Sequence, residues 1–409
     1  MKKILCFLLL LLIADFYLQA QSSKFISVKG KEIIGADGKA FLMKGTNLGN
    51  WLVPEGYMFK FKHASSPRLI NQTLTELIGP DEVKLFWKKY LDNYITAADI
   101  HYLKTLGMNS LRLPFHYKLF TNEDYMGGEG DARGFRILDK LISWCKKEGL
   151  YILLDMHCAP GGQTGDNIDD SWGSPFLFDN EASKQLTIDI WRKIAKRYKN
   201  ETIIIGYDLL NEPIAHFFDT AHYNPLLEPL YKQITKAIRE SDPNHLIFLG
   251  GAQWDSNFKI FGEPFDKKLV YTFHKYWTAT TVDVIQDYLD FRDKYNVPIY
   301  CGETGENNDE WVMKFRLTLD QHNIGWHFWP YKKMENKAGI VEFKRPALYN
   351  ELIQYADTIK NNFEDIRKYR PSGVTNVKQA LNEFLINSRF NNCTSNEGYI
   401  KALGFGINN

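Results

Sequence analysis

Glu212 and Glu303 are the residues of this sequence best placed for acid–base chemistry, because each closes a short apolar run: Leu210-Asn211-Glu212-Pro213 in one case, Cys301-Gly302-Glu303 in the other. Other apolar runs end the same way. Leu111-Arg112-Leu113-Pro114, Asp155-Met156-His157, His274-Lys275-Tyr276 and Trp326-His327-Phe328-Trp329 each finish in a polar or aromatic group. Taken singly, an arginine is an ion-pair partner, a histidine a buried polar residue and a tryptophan a piece of core. Taken together they describe a site, since charged groups at the ends of apolar strands are costly unless paired or used. Two carboxyl groups, one kept protonated and one ionised, are what glycoside hydrolysis requires. Asn211 offers an amide to a sugar hydroxyl, and Arg112 with Tyr276 would keep Glu303 ionised.

The elements that must carry these residues are strands alternating with helices. Two short runs at 25–28 and 32–34, followed by Ala36-Asp37-Gly38-Lys39, which reads as a hairpin turn, open the folded part. Strand-like runs follow at 41–45, 110–114, 151–157, 203–211, 245–251, 269–274, 298–302 and 325–329. Helical patterns lie between most of them, at 135–148, 184–199, 227–241, 282–295 and 311–322, with further ones at 346–360 and 377–385. This alternation predicts an eight-stranded parallel (β/α)8 TIM barrel with a short N-terminal hairpin and a C-terminal helical extension. An open doubly wound sheet would want a glycine-rich phosphate turn after its first strand, and Gly45-Thr46-Asn47-Leu48-Gly49 lacks that spacing. In the barrel, Glu212 and Glu303 end the fourth and seventh strands, on opposite sides of the mouth.

Composition narrows the class. The 409 residues hold 50 Lys+Arg against 49 Asp+Glu, which argues against a nucleic-acid binder. Lys2 and Lys3 before an apolar run to Ile13, with Ala20 closing the segment, read as a signal peptide over 1–20. Export to the periplasm or the extracellular space is expected, with no permanent membrane span. Residues 21–362 are assigned to the barrel and 363–409 to an extension packed on it. Cys145, Cys158, Cys301 and Cys393 show no spacing that assigns disulfides, and both CxxC and HExxH are missing, so neither a metal nor another cofactor is expected. A serine esterase would need Gly-x-Ser-x-Gly, which does not occur.

The strand-end motifs, with Gly45-Thr46-Asn47-Leu48-Gly49-Asn50-Trp51-Leu52, resemble glycoside hydrolase family 5 from Gly45 to about Lys332. The 47–55 segment and the loop at 157–165 are similar to its exo-β-1,3-glucanase-like branch, from which Cys158 and the 331–335 segment depart. The resemblance implies a retaining β-glucanase or β-glucosidase with Glu212 as acid/base and Glu303 as nucleophile. It further implies Asn211 at the 2-hydroxyl, Arg112 and Tyr276 orienting the nucleophile, and His157 and His274 lining the reacting sugar's subsite. Trp329 would be the sugar platform, with Trp326 the lesser alternative. The expected partner is a β-glucan polysaccharide or oligosaccharide met by a monomeric chain. A β-1,4-glucanase or mannanase of the same fold, and a sugar-binding barrel without catalysis, are the alternatives.

Overall fold

The structure is a computed structural model that describes residues 25–406. The signal peptide expected over 1–20 lies outside the described residues. Strands β1 (Ser27–Lys29) and β2 (Glu32–Ile34) form the expected antiparallel hairpin. The barrel strands are β3 (Lys44–Asn47), β4 (Ser110–His116), β5 (Tyr151–Cys158), β6 (Ile204–Asp208), β7 (Leu246–Gly250), β8 (Leu269–Tyr276), β9 (Ile299–Gly305) and β10 (Gly325–Trp329). All eight pair in parallel and close on themselves through β10 and β3. Both faces of each strand are covered, so the strands are buried along nearly their whole length, as continuous apolar runs demand.

Helices return the chain between strands, each with one apolar stripe. Ala132–Glu148 buries Leu138, Leu141, Ile142 and Cys145 and stops where Gly149 turns left-handed. Asn180 and Asn308 cap the helices Glu181–Tyr198 and Asp309–Gln321 by accepting from the backbone N–H groups of Ser183 and Trp311. Between β3 and β4 the chain forms three helices, Pro67–Ile78, Pro80–Asn93 and Ala97–Thr105, that the strand-by-strand reading left unassigned. Among the described residues, no helix is long and apolar enough to cross a membrane.

Most strand boundaries differ from the sequence reading by a residue or more, and three of the differences bear directly on the site. The first barrel strand begins later and runs through Asn47, which brings that side chain to the mouth. The fourth ends at Asp208, so Glu212 is not on a strand; the chain leaves the sheet there and Glu212 takes a φ of 48°. The seventh runs through Glu303 to Gly305, placing Glu303 inside a hydrogen-bonded strand.

After β10 the chain adds β11 (Lys332–Met334), β12 (Val341–Phe343) and β13 (Thr394–Ser395), a small separate sheet. The helices Asn350–Ala356 and Thr375–Asn387 fall within or around the two expected C-terminal patterns. Phe384 stacks on Phe59 with ring centroids 5.0 Å apart, and the buried Tyr399 hydroxyl reaches the Trp329 carbonyl at 3.5 Å. The C-terminal segment thus braces the strand that carries Trp329.

Candidate active site

A cleft of about 640 Å³ opens at the C-terminal ends of the barrel strands, and Glu212, Glu303, His157, His274, Tyr276 and Trp329 all line it. Arg112 organises its floor. This side chain is completely buried in β4, where its Nε donates to Asp208 at 2.8 Å and its Nη2 to Asn211 at 2.9 Å. Nη1 donates to Asn47 at 3.1 Å and to Glu303, while Nη2 also lies 3.2 Å from Asp155. One guanidinium therefore faces three carboxyl groups. Burial pushes Asp155 and Asp208 up to about 7 against the lowering pull of Arg112.

Glu303 receives a second donor at 3.0 Å from the Tyr276 hydroxyl. Burial, and after it the Glu303 charge, hold the tyrosine well above its ordinary range, so it stays a donor. Glu212 has no such cation in contact. Its Oε1 lies 2.9 Å from His274 Nδ1, and burial pushes its carboxyl up to about 7 despite His157 and Arg112. Oxygens of Glu212 and Glu303 and the His274 Nδ1 all lie within 4.8 Å of one another. Asp155, His157 and Glu303 converge equally closely, and both groupings are already tied to protein partners through Arg112 and Tyr276.

Both site histidines are neutral. Burial lowers His157 to about 4 and His274 to about 3. His157 Nδ1 sits 2.8 Å from Asp155, and its ring lies parallel to Trp329 with centroids 5.6 Å apart. Trp329 donates from Nε1 to the Tyr57 hydroxyl at 2.7 Å. Gly49 makes room for the ring, since a Cβ there would fall 2.6 Å from the indole. Trp326 points the other way, as an odd spacing along a strand requires, and its Nε1 donates to Asp320 at 3.0 Å behind the barrel. Asn211 turns its Oδ1 to Arg112 and its Nδ2 toward His157, while Gln163 and Thr164 pin the backbone carbonyls of Asn211 and Glu212.

The structure thus brings together Glu212, Glu303, Arg112, His157, Asn211, His274, Tyr276 and Trp329, leaves Trp326 outside, and adds residues that the sequence did not single out. Glu55 is buried in the cleft wall, and burial with the Glu303, Glu306 and Glu212 charges raises it well above the ordinary carboxylate range. Glu306 accepts from the Lys333 ammonium at 2.8 Å and from Tyr57 at 3.3 Å. Trp254 and the exposed Trp277 form the outer wall. Glu55 stands within the 47–55 segment, but no spacing rule marks it, because the chain after β3 is irregular. Cys158 and Cys301 are buried free thiols.

A closed (β/α)8 barrel with two carboxyl groups facing each other across its mouth defines a barrel hydrolase of the glycosidase type. The family model described as cellulase (glycosyl hydrolase family 5) matches residues 72–335. The chain is 33% identical over 368 residues to a β-xylosidase from Phanerodontia chrysosporium, covering 81% of this chain and 75% of that protein. It is 30% identical over 215 residues to a probable glucan 1,3-beta-glucosidase A from Neosartorya fischeri, covering 51% of this chain and 49% of that protein. The crystal structure of rutinosidase from Aspergillus niger shares the fold at a TM-score of 0.55 and 19% identity, over 73% of this chain and 92% of that one. The chain belongs to glycosyl hydrolase family 5 and is an O-glycosyl hydrolase.

Proposed function

We propose that the protein is an exported retaining β-glycosidase that cleaves β-glucosidic bonds in β-glucans or their oligosaccharides by double displacement. The observation that carries this reading is the unequal pair of acids, with carboxylate oxygens within 4.8 Å of each other. Retaining enzymes hold their carboxyl groups about 5 Å apart, too close for a water to act between base and sugar. Glu303, facing a guanidinium and a phenol, is the nucleophile and attacks the anomeric carbon as the glycosidic bond breaks. Glu212, kept protonated by burial, gives its proton to the departing oxygen. Water then attacks the glycosyl-enzyme ester, Glu212 takes its proton, and Glu303 is released with the β configuration kept. Asn211 addresses the sugar's 2-hydroxyl, His157 and His274 line the subsite, and Trp329 is the platform under the ring.

The likeness to a glucan 1,3-beta-glucosidase supports glucose as the sugar, with some β-1,3 activity. A second reading, a β-xyloside substrate, is favoured by the β-xylosidase relative, which covers more of the chain. Export rests on the basic-then-apolar start of the sequence, and a mature N-terminus near Gln21 is its test. Aryl β-glucosides and β-xylosides together with β-1,3-, β-1,4- and mixed-linked glucans, xylan and mannan separate the substrate readings. NMR of the first-formed product tests the mechanism: a β-anomer is expected, and an initial α-anomer overturns the assigned roles.

A further inference from the structure

We propose that Asp255 is a positioning residue that acts on Glu212 through the His274 ring, fixing that ring so that Nδ1 presents an N–H to Glu212. The inference rests on the reading of Glu212 as the acid/base. Three groups stand in a row: Glu212 Oε1 lies 2.9 Å from His274 Nδ1, and His274 Nε2 lies 3.2 Å from Asp255 Oδ2. The imidazole fills the gap between two carboxyl groups and cannot turn away. A Cβ on Gly302 would fall 2.8 Å from Nε2, so the ring lies flush against the backbone of β9.

The backbone goes to some trouble to put Asp255 there. Beyond β7, three consecutive residues, Gln253, Trp254 and Asp255, adopt left-handed φ values of 52°, 57° and 58°. Non-glycine residues adopt this conformation only against steric strain. The run folds the Asp255 carboxyl back over Gly250, where a Cβ would come within 1.9 Å of Oδ1. The carboxyl is completely buried, and its ion-pair contact among the described residues is His274 alone. On the other side, His274 Nε2 is a buried nitrogen with no hydrogen-bond partner, its 3.2 Å approach to Asp255 falling outside hydrogen-bond geometry as the ring stands. Two dehydrated polar groups facing each other call for a proton between them.

Where that proton sits follows from the surroundings. The charged and titratable groups facing the ring are Glu212, Glu303 (3.8 Å from Nδ1) and Asp255, with Arg112 and His157 beyond. Those facing Asp255 are Asp208, Glu212 and, as the one cation, Arg112, whose contacts go to other carboxyl groups; Tyr231, Tyr288 and the Glu212 backbone N–H, whose lowering pull is outweighed by burial, are its other neighbours. Burial and the two neighbouring carboxyls raise Asp255 well above the ordinary carboxylate range, and burial lowers the ring to about 3. A protonated Asp255 donates its O–H to Nε2, so the single ring proton belongs on Nδ1. Nδ1–H then donates to Glu212 Oε1 whether Glu212 is an acid or a carboxylate. Oε2 carries the proton that goes to the leaving oxygen and later returns from water. No proton leaves the Asp255–His274 pair at any stage.

The test combines ¹⁵N NMR of histidine-labelled full-length protein, the His274 signal assigned by its loss in His274→Gln, with steady-state kinetics. His274 is expected as the Nδ1–H tautomer in the unaltered protein; an Nε2–H ring overturns the proposal whether or not any variant folds. Asp255→Leu removes the donor, mixes the tautomers and lowers kcat by ~10-fold or more with KM nearly unchanged, the scale on which losing a histidine's orienting partner acts. Asp255→Asn, whose amide still donates to Nε2, restores most of that turnover. It also leaves the basic limb of the pH profile in place, whereas a downward shift of that limb would mean an ionised Asp255 and overturn the proposal. A folded Asp255→Leu with unaltered kcat and tautomer does the same. Failure of the acid/base reading shows separately, as a Glu212→Ala variant whose loss does not depend on the leaving group.

Discussion

Glu303 sits inside β9, paired with its neighbour strands and held by Arg112 and Tyr276. Glu212 sits beyond the last residue of β6, in a left-handed turn pinned by Gln163 and Thr164, against a neutral imidazole. The same side chain is thus given a cation and a phenol in one place and an uncharged ring in the other. On the proposed roles, the difference teaches that the division of labour between two identical residues is made by their supports. A rigid strand and a buried guanidinium suit a group that must stay ionised and meet a carbon atom. A loop under an imidazole suits one that must change its protonation during the reaction.

The largest expected effect comes from removing the carboxylate that faces the cation in this contrast. Glu303→Gln should lower turnover of every substrate by at least ~10⁴-fold, the scale of losing a nucleophile. Steady-state kinetics with aryl β-glycosides checks it, and a loss below tenfold would mean that the contrast has been assigned the wrong way round. Glu212→Ala should be gentler and selective. Poor leaving groups should lose ~10²–10⁴-fold, the worth of general acid catalysis, and activated aryl glycosides far less. Added azide should partly restore the variant, giving a β-glycosyl azide visible by mass spectrometry.

The two supports should also differ in stability. Arg112→Met strips the floor of its one guanidinium and leaves Asp155, Asp208 and Glu303 buried without it. Breaking a buried ion pair from one side costs about 3–5 kcal/mol. Thr164→Val, which removes the hydrogen bond to the Glu212 carbonyl, should cost about 1 kcal/mol. Denaturant unfolding of both variants measures the ratio; equal losses would mean that the turn is as heavily supported as the floor.

The pH profile tests the Glu212 side, and the Glu212→Gln variant separates it from Asp155 and Asp208, which burial raises to the same range. Its carboxyl, raised by burial to about 7, is protonated below that pH and ionised above it. Activity that needs the acid form therefore falls as pH rises through about 7, by about tenfold per unit well above the midpoint. In kcat/KM for a substrate with a poor leaving group, a basic limb near 7 is expected, and Glu212→Gln should abolish it.

The strands and the acids were legible because they obey periodic rules. Apolar runs alternating with amphipathic stretches gave the barrel, and polar groups closing those runs gave Glu212, Glu303, Arg112, His157, His274, Tyr276 and Trp329. The supports were less legible. Asp208 sits within an apolar run with nothing to say that it meets Arg112 across the barrel. Asp255 and Glu55 reach the site from irregular backbone, in one case through three left-handed residues, where neither the helical nor the strand period applies. The helices between β3 and β4 each bury one stripe, but Pro67 and Pro80 at their starts read as breaks unless taken as first-turn residues.

The smallest effect tests a third support, the one under Trp329. Gly49 follows β3, and a Cβ there would fall 2.6, 2.8 and 2.9 Å from three carbons of the indole. Those contacts are with a ring, which cannot fold away as a flexible side-chain end can. Trp329 is held from other directions by the Tyr57 hydroxyl at its Nε1 and by the parallel His157 ring. In Gly49→Ala the indole must therefore tilt or the β3 exit must move, at a cost of about 1–3 kcal/mol for overpacking. Neither acid touches Gly49, and Arg112 keeps its partners. The platform should suffer and the chemistry should not, so KM should rise several-fold while kcat changes by less than about twofold, a loss of binding shared by ground state and transition state. An equal fall in kcat would tie the Trp329 ring to the geometry of the acids, and the floor, the turn and the platform would then be one support instead of three.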